Sequence, residues 1–285
     1  KLGRAKSATF RTADVVGLDT MAHVIKTMED NLKDDPFAAN YPVPPVLKVL
    51  VEKGALGQKS GAGFYRKEGK EIKVLDAAKG EYVAGGTKAD ELVARILKKP
   101  AAERFKLLRE TDHPQAQFLW SIFRDVFHYI AVHLESIADN ARDVDFAVRW
   151  GFGWNEGPFE TWQAAGWKEI AGWIAEDIAA GKTLSSAPLP AWVNEIDAVH
   201  TPAGSYSPAK KAFVPRSNLA VYQRQAFPAF LLGENAADPK TAGNTVFEND
   251  AIRLWDQGDD VLIASFKTKM NTIGPEVLDG LVQAI

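Results

Sequence analysis

Apolar residues in the first third of the chain recur at intervals of three and four, and glycine or proline interrupts each run. "TFRTADVVG" predicts a short helix closing at Gly17, where the missing Cβ permits a left-handed cap. Val24, Ile25, Met28 and Leu32 then mark one face of a second helix. Prolines 36, 42, 44 and 45 stop that pattern, after which Val46, Leu47, Leu50 and Val51 make an apolar stripe ending at Gly54. "KEIKVLDAAKGEYV" has strand character with a turn near Gly80. Residues 87–90 then open a helix carrying Leu92, Val93, Ile96 and Leu97.

The strongest helical pattern starts near "TDHPQAQ", with Asp112 as its expected cap and Pro114 tolerated in the first turn. Leu119, Ile122, Val126, Ile130, Leu134 and Ile137 predict a core helix of about seven turns. "DNARDVDFAVRWG" supplies a shorter helix ending at Gly151. An internal echo follows: "PFETWQAAG" repeats the Phe, Thr and Gly spacing of "TFRTADVVG" at an offset of 149 residues, which suggests two copies of one helical unit. Beyond about residue 185, prolines 188, 190, 202, 208, 215 and 228 loosen the pattern into a covering segment or linker. From Thr245 the texture becomes β-like, with a "QGDD" turn and a strand over residues 261–266, and Val277, Leu278, Leu281 and Val282 form a last amphipathic face.

Composition bounds what such a chain does. Its 285 residues are 46% apolar, enough for one large core or two ordinary ones, and a net charge of −3 gives no generic pull toward nucleic acid or anionic membrane. With no cysteine, a disulfide framework, a thiolate metal site and a cysteine nucleophile are all excluded. No apolar run approaches the roughly 20 residues of a membrane span, so a cytoplasmic home is the simplest expectation. Both ends read as cut: there is no initiator Met, and the last helical pattern stops midway.

The chemical candidates are few. "GQKSGAGFYRKEGK" at residues 57–70 looks like a phosphate loop, but it fits neither the Walker spacing nor the dinucleotide fingerprint, because Arg66 stands where a third glycine would be needed. A tight turn into a short strand burying Phe64 and Tyr65 is the simpler reading, and phosphate contact by Lys59 or Ser60 is the other. The five histidines show no metal-ligand spacing, His128 and His133 pointing about 140° apart on a helix. Asp143 and Asp145 suit the first turn of a helix, where negative charge is favourable. No G-x-S-x-G elbow occurs. Trp120, Trp150, Trp154, Trp162, Trp167 and Trp173 crowd the second half, as packing residues or as an apolar pocket wall.

Taken together, "GRAKSATFRTADVVGLDTMAHV", "GQKSGAGFY" and "DVDFAVRWGFGWNEGPFETWQAAG" resemble the C-terminal helical region of the 3-hydroxyacyl-CoA dehydrogenases, and "LWDQGDDVLIASFKTKMNTIGPEVLDGLVQAI" resembles the start of a crotonase-like hydratase. The best match is the bacterial multifunctional form. That resemblance implies a mainly α fold: two helical repeats packed as a pseudo-dimer, with a short β segment at the C-terminal end. It divides the chain into a first repeat at residues 1–111, a second repeat plus linker at 112–240 and a truncated hydratase start at 241–285.

It further implies a parent enzyme that oxidises 3-hydroxyacyl-CoA with NAD in fatty acid β-oxidation and hydrates enoyl-CoA. NAD would be bound by a Rossmann domain preceding this chain, no catalytic residue and no metal site would lie within it, and its partners would be acyl-CoA and its own flanking domains. Lys6, Ser7 and Thr9 are the expected substrate-proximal residues, Lys59 and Ser60 the expected CoA-phosphate contacts. Gly17, Gly61, Gly63, Phe64, Tyr65, Gly157, Pro158, Phe159 and Gly166 carry the structural motifs. A helical interaction or scaffold module without enzymatic activity is the alternative.

Overall fold

Helix α1 (Ala8–Val16) and helix α2 (Leu18–Asn31) meet at Gly17, whose φ of 106° lies where side chains are strained, so the chain turns there instead of continuing one helix. The structure is a computed structural model that describes residues 8–86, 89–219 and 243–284. Lys6 and Ser7 lie outside the described residues. Helix α3 (Pro45–Glu52) starts on its N1 proline, and the chain then forms the antiparallel sheet β1 (Tyr65–Glu68), β2 (Glu71–Asp76), β3 (Glu81–Ala84).

Helices α4 (Glu91–Ile96) and α5 (Ala101–Glu110) lead into α6 (Pro114–Ile137), whose 24 residues span about 36 Å. Its cap is His113, which accepts from the Gln115 N–H at 3.2 Å, one residue beyond the expected Asp112. Asp90 caps α4 by accepting from Leu92 N–H at 2.8 Å. Helix α7 (Ala141–Phe152) follows, then α8 (Pro158–Ala179), which carries Gly166 at φ 107° inside it. After α9 (Trp192–Glu195) comes a second antiparallel sheet of β4 (His200–Thr201), β5 (Gly204–Ser207) and β6 (Ala212–Val214). A third contains β7 (Asn244–Glu248), β8 (Ile252–Asp256) and β9 (Leu262–Phe266), with helix α10 (Pro275–Val282) after it.

The expected mainly α fold with β structure confined to the C-terminal end is therefore corrected. Among the described residues three three-stranded antiparallel sheets occur, and two of them lie before residue 215. The physical reason is that their strands are short, two to six residues each, and that β2 is half buried with Glu71 and Ile72 facing solvent, so apolar alternation is too faint to stand out beside the helical runs. The two repeats expected to pack as a pseudo-dimer have cores of unequal size. One core holds only Ala13, Leu18, Leu47 and Leu50 at full burial. The other runs from Val93 to Tyr206, and takes Val93, Ile96, Phe105 and Leu108 of α4 and α5 with α6 and α8.

Within α6 the deepest face is aromatic. Trp120, Phe123 and Phe127 are buried with Ile130 and Leu134, while Ile137 is exposed, because rings of this size fill the space between helices that the aliphatic stripe alone would leave. Among the tryptophans singled out above, Trp120, Trp162 and Trp167 are core residues and Trp150 is 75% exposed.

Contacts divide the chain into two compact units, Lys1–His200 with Ser205–Val214, and Thr201–Gly204 with Pro215–Ile285. In the second unit, Ile252, Leu254 and Val277 form a small core of β8 and α10. There Gly280 lies against Ile252, close enough that any Cβ would collide with its side chain.

Candidate functional site

The glycine-rich turn of residues 57–63 is held on a carboxylate. Asp14, on α1 and only 3% exposed, accepts the Phe64 and Tyr65 N–H groups at 2.8 Å each, one on each oxygen. Gly63 has no room for a side chain: a Cβ would stand 2.7 Å from Asp14 Cγ and 2.8 Å from Gly57 Cα. The turn is thus glycine-rich because it must approach a helix closely, and the anion it embraces is the protein's own. Beside it lies a cleft of about 340 Å³ lined by Arg11, Gln58, Tyr65, Lys67 and Ile72. Arg11 and Lys67 border it together with the Asp14 carboxylate.

A second carboxylate sits deeper. Asp145 on α7 is fully buried and accepts the Phe159 and Glu160 N–H groups at 2.8 and 3.0 Å, so it caps α8 from outside. Gly157 packs on it so tightly that a Cβ would overlap the Asp145 side chain. Glu160 closes the capping box by accepting Gly157 N–H at 2.6 Å, and pairs with Arg149 at 3.1 Å. His200 Nε2 lies 2.8 Å from Asp145 Oδ2, and its Nδ1 lies 2.8 Å from Ser205 Oγ. Burial pushes the Asp145 carboxyl up, against the pull of His200 and the two amides, and burial likewise raises Glu160.

The order Ser205, His200, Asp145 is that of a nucleophile, base and orienting acid. None is more than 3% exposed, so no substrate atom reaches Ser205, and the chain of bonds serves to lock α7, α8 and β4 together. Sequence reading missed this cluster. It placed Asp145 in a helix's first turn, whereas the residue lies past that turn and faces inward. The available signal was Asp145 lying twelve residues before the Gly157-Pro158 helix start, a spacing that brings a carboxylate onto the N–H groups of the next helix.

The expected site residues are scattered. Thr9 is exposed in the first turn of α1. Lys59 reaches both oxygens of Asp19 at 2.6 and 2.7 Å, which holds that carboxyl below its ordinary value, so a phosphate would have to compete with Asp19. Ser60 Oγ accepts Leu56 N–H at 2.7 Å and lies 3.0 Å from Ala62 O, inside the turn. Among the described residues no group of three or more His, Cys, Asp or Glu could hold a metal ion, and no helix is long and apolar enough to cross a membrane.

A dinucleotide cradle needs a parallel strand, a glycine-rich turn and a helix in succession. Among the described residues the registered strand pairs are antiparallel, and the glycine-rich turn of residues 57–63 runs from helix to strand, so these residues do not fit NAD.

Comparison with known proteins gives a consistent picture. Residues 3–67 match the family "3-hydroxyacyl-CoA dehydrogenase, C-terminal domain". A probable 3-hydroxyacyl-CoA dehydrogenase of Bacillus subtilis is 33% identical over 283 residues, 97% of this chain and 34% of that protein. A putative fatty acid oxidation complex trifunctional enzyme of Rickettsia felis is 26% identical over 59% of this chain and 23% of its own length. A probable 3-hydroxyacyl-CoA dehydrogenase of Deinococcus radiodurans is 47% identical over 66 residues, 23% of this chain and 18% of its own. The chain therefore spans between about a fifth and a third of these relatives. Residues 3–67 thus resemble that C-terminal domain, and nearly all of the chain is similar to one third of a probable 3-hydroxyacyl-CoA dehydrogenase.

Proposed function

We propose that the protein to which this chain belongs oxidises 3-hydroxyacyl-CoA to 3-ketoacyl-CoA with NAD, and that the chain is its non-catalytic, substrate-side and assembly region. The observation that carries this reading is the 33% identity, sustained over 97% of the chain, to a probable 3-hydroxyacyl-CoA dehydrogenase of which the chain matches only 34%. In this reading the hydride acceptor and the base that takes the hydroxyl proton belong to sequence outside this chain. Acyl-CoA and the flanking domains of the same protein are the corresponding partners, and the cytoplasm the corresponding location.

On the side of this chain, the 340 Å³ cleft with Arg11 and Lys67 is the proposed substrate-side surface, with Thr9 exposed in the same helix as Arg11. Its cations suit a polyanionic thioester carrier. Enoyl-CoA hydratase activity in the same protein is a further part of the reading; it rests on the likeness of residues 254–285 to the start of a crotonase-like domain. Two assays test the assignment. This chain alone, given acetoacetyl-CoA and NADH, shows no loss of absorbance at the NADH band, whereas the product of the complete reading frame oxidises NADH. Turnover by the chain alone overturns the division of labour, and an inert complete protein overturns the activity.

A further inference from the structure

Helix α3 presents Val46, Val49, Leu50 and Lys53, at intervals of three and four, toward the sheet of β1, β2 and β3, without closing on it. Leu50 is buried, but Val49 remains 44% exposed. Between helix and sheet runs a groove of about 680 Å³, within the range of small-ligand sites. Leu75 and Tyr82, a cross-strand pair of β2 and β3, make its far wall.

The groove's polar end is Arg66. Its Cζ stacks 4.1 Å from the centroid of the Tyr82 ring, and the Tyr82 hydroxyl donates to Gly63 O at 2.6 Å, so the guanidinium is held in place. Its Nη2 pairs with Glu68, yet its Nε is buried with no hydrogen-bond partner. Glu68 also receives Lys73, so two cations share one carboxylate, and Lys53 adds positive charge at the rim. A wet apolar wall is unfavourable, and a single ligand with an apolar tail covers it while its anionic head meets the Arg66 side chain, which is 41% exposed, and the Lys53 charge at the rim.

We infer that this groove binds an amphipathic organic anion of the medium-chain carboxylate class, with the tail along α3 and the carboxylate on Arg66. The inference stands apart from the dehydrogenase reading, because it uses no residue assigned to that reaction. Isothermal titration of the chain with octanoate, decanoate and dodecanoate, each below its micellar concentration, tests it. One saturable site is expected, tightening by up to about fourfold per added methylene. Decyltrimethylammonium, with the same tail and the opposite head charge, should bind at least tenfold more weakly.

Val49→Trp fills the groove and Arg66→Gln removes the cation, and each should weaken decanoate binding at least tenfold while the circular dichroism melt holds. If Arg66→Gln fails to fold, Val49→Trp and the head-group comparison decide. No saturable binding, equal binding of the cationic amphiphile, or undiminished binding in Val49→Trp overturns the inference. A clear preference for decanoyl-CoA over decanoate overturns the free-carboxylate head.

Discussion

Replacing Gly63 by alanine is the sharpest test of why the glycine-rich turn exists. The new Cβ would lie 2.7 Å from Asp14 Cγ and 2.8 Å from Gly57 Cα, and the second of these is backbone that no side-chain rotation can move. Relief requires the turn to lift from α1, which breaks the two 2.8 Å bonds from Phe64 and Tyr65 N–H to a carboxylate that is only 3% exposed. Hydrogen bonds to a charged group are each worth about 1.5–3 kcal/mol, so losing both costs about 3–6 kcal/mol and partial relaxation leaves roughly 2–5. Against a total stability of about 5–15 kcal/mol that is a large fraction.

Urea unfolding followed by far-UV circular dichroism measures the loss, and amide exchange over residues 57–76 locates it. The first tryptophan is Trp120, so indole fluorescence reports the later elements and should shift less than exchange at residues 64 and 65. Gly61→Ala is the control. A Cβ there meets nothing within 4 Å, and its φ of 79° leaves only a backbone penalty of about 1–2 kcal/mol. A Gly63→Ala change below about 0.5 kcal/mol with unaltered exchange at residues 64 and 65 would refute the argument.

Lys59→Ala should cost less than about 1 kcal/mol, because its pair with Asp19 is half exposed on both sides; a loss above about 2 kcal/mol in the urea midpoint would show that this turn depends on the ion pair. Glu160→Gln keeps the capping acceptor without the charge. Burial raises the Glu160 carboxyl above 4.5, so the native state holds its proton more tightly than the unfolded chain does, and wild-type stability from this group is lost as pH rises through the raised value. The variant should therefore gain on the wild type between about pH 4 and 7, and a gap that stays constant across urea titrations in that window sinks the reasoning. Gln163→Glu places a second carboxylate close to His200 and Asp145; its destabilisation should be small at about pH 4 and grow toward pH 8, whereas an equal loss at both rejects like-charge repulsion as the cause.

Much of the helical framework was legible in the chain. The spacing of Val46, Leu47 and Leu50 gave α3, Asp90 gave the start of α4, and Gly157-Pro158 gave the start of α8. Proximity in the sequence makes such signals local. The sheets were less legible, since β4 has two residues and β6 three, too few for a period to declare itself. The depth of α6 was misjudged by counting aliphatic positions, when Trp120, Phe123 and Phe127 decide which face is buried. The least legible feature was the cluster of Asp145, His200 and Ser205, because its members come from one helix and a sheet 55 to 60 residues later. Only folding brings them together. Lys59 and Ser60 were singled out as phosphate ligands by residue type alone, and the structure engages both within the protein, through Asp19 and the turn backbone.

Two side chains 149 residues apart do the same job by different chemistry. Asp14 receives the N–H groups of Phe64 and Tyr65 where the chain enters β1; Gln163 Oε1 receives those of Val199 and His200, both at 2.8 Å, where it enters β4, and its amide donates to His200 O at 3.0 Å. The offset is the one that separates Gly17 from Gly166, two glycines whose φ values agree within a degree. Each latch ties the end of a helix to the first residues of a strand, and each needs an acceptor for two adjacent N–H groups. The choice of residue follows from the surroundings. At Asp14 the two N–H donors offset the desolvation of one charge. Around Gln163 a carboxylate is already buried, because Asp145 lies 2.8 Å from the same His200. A second negative charge there would meet a low-dielectric, already occupied site, so a neutral amide is the residue that satisfies the backbone without repelling Asp145.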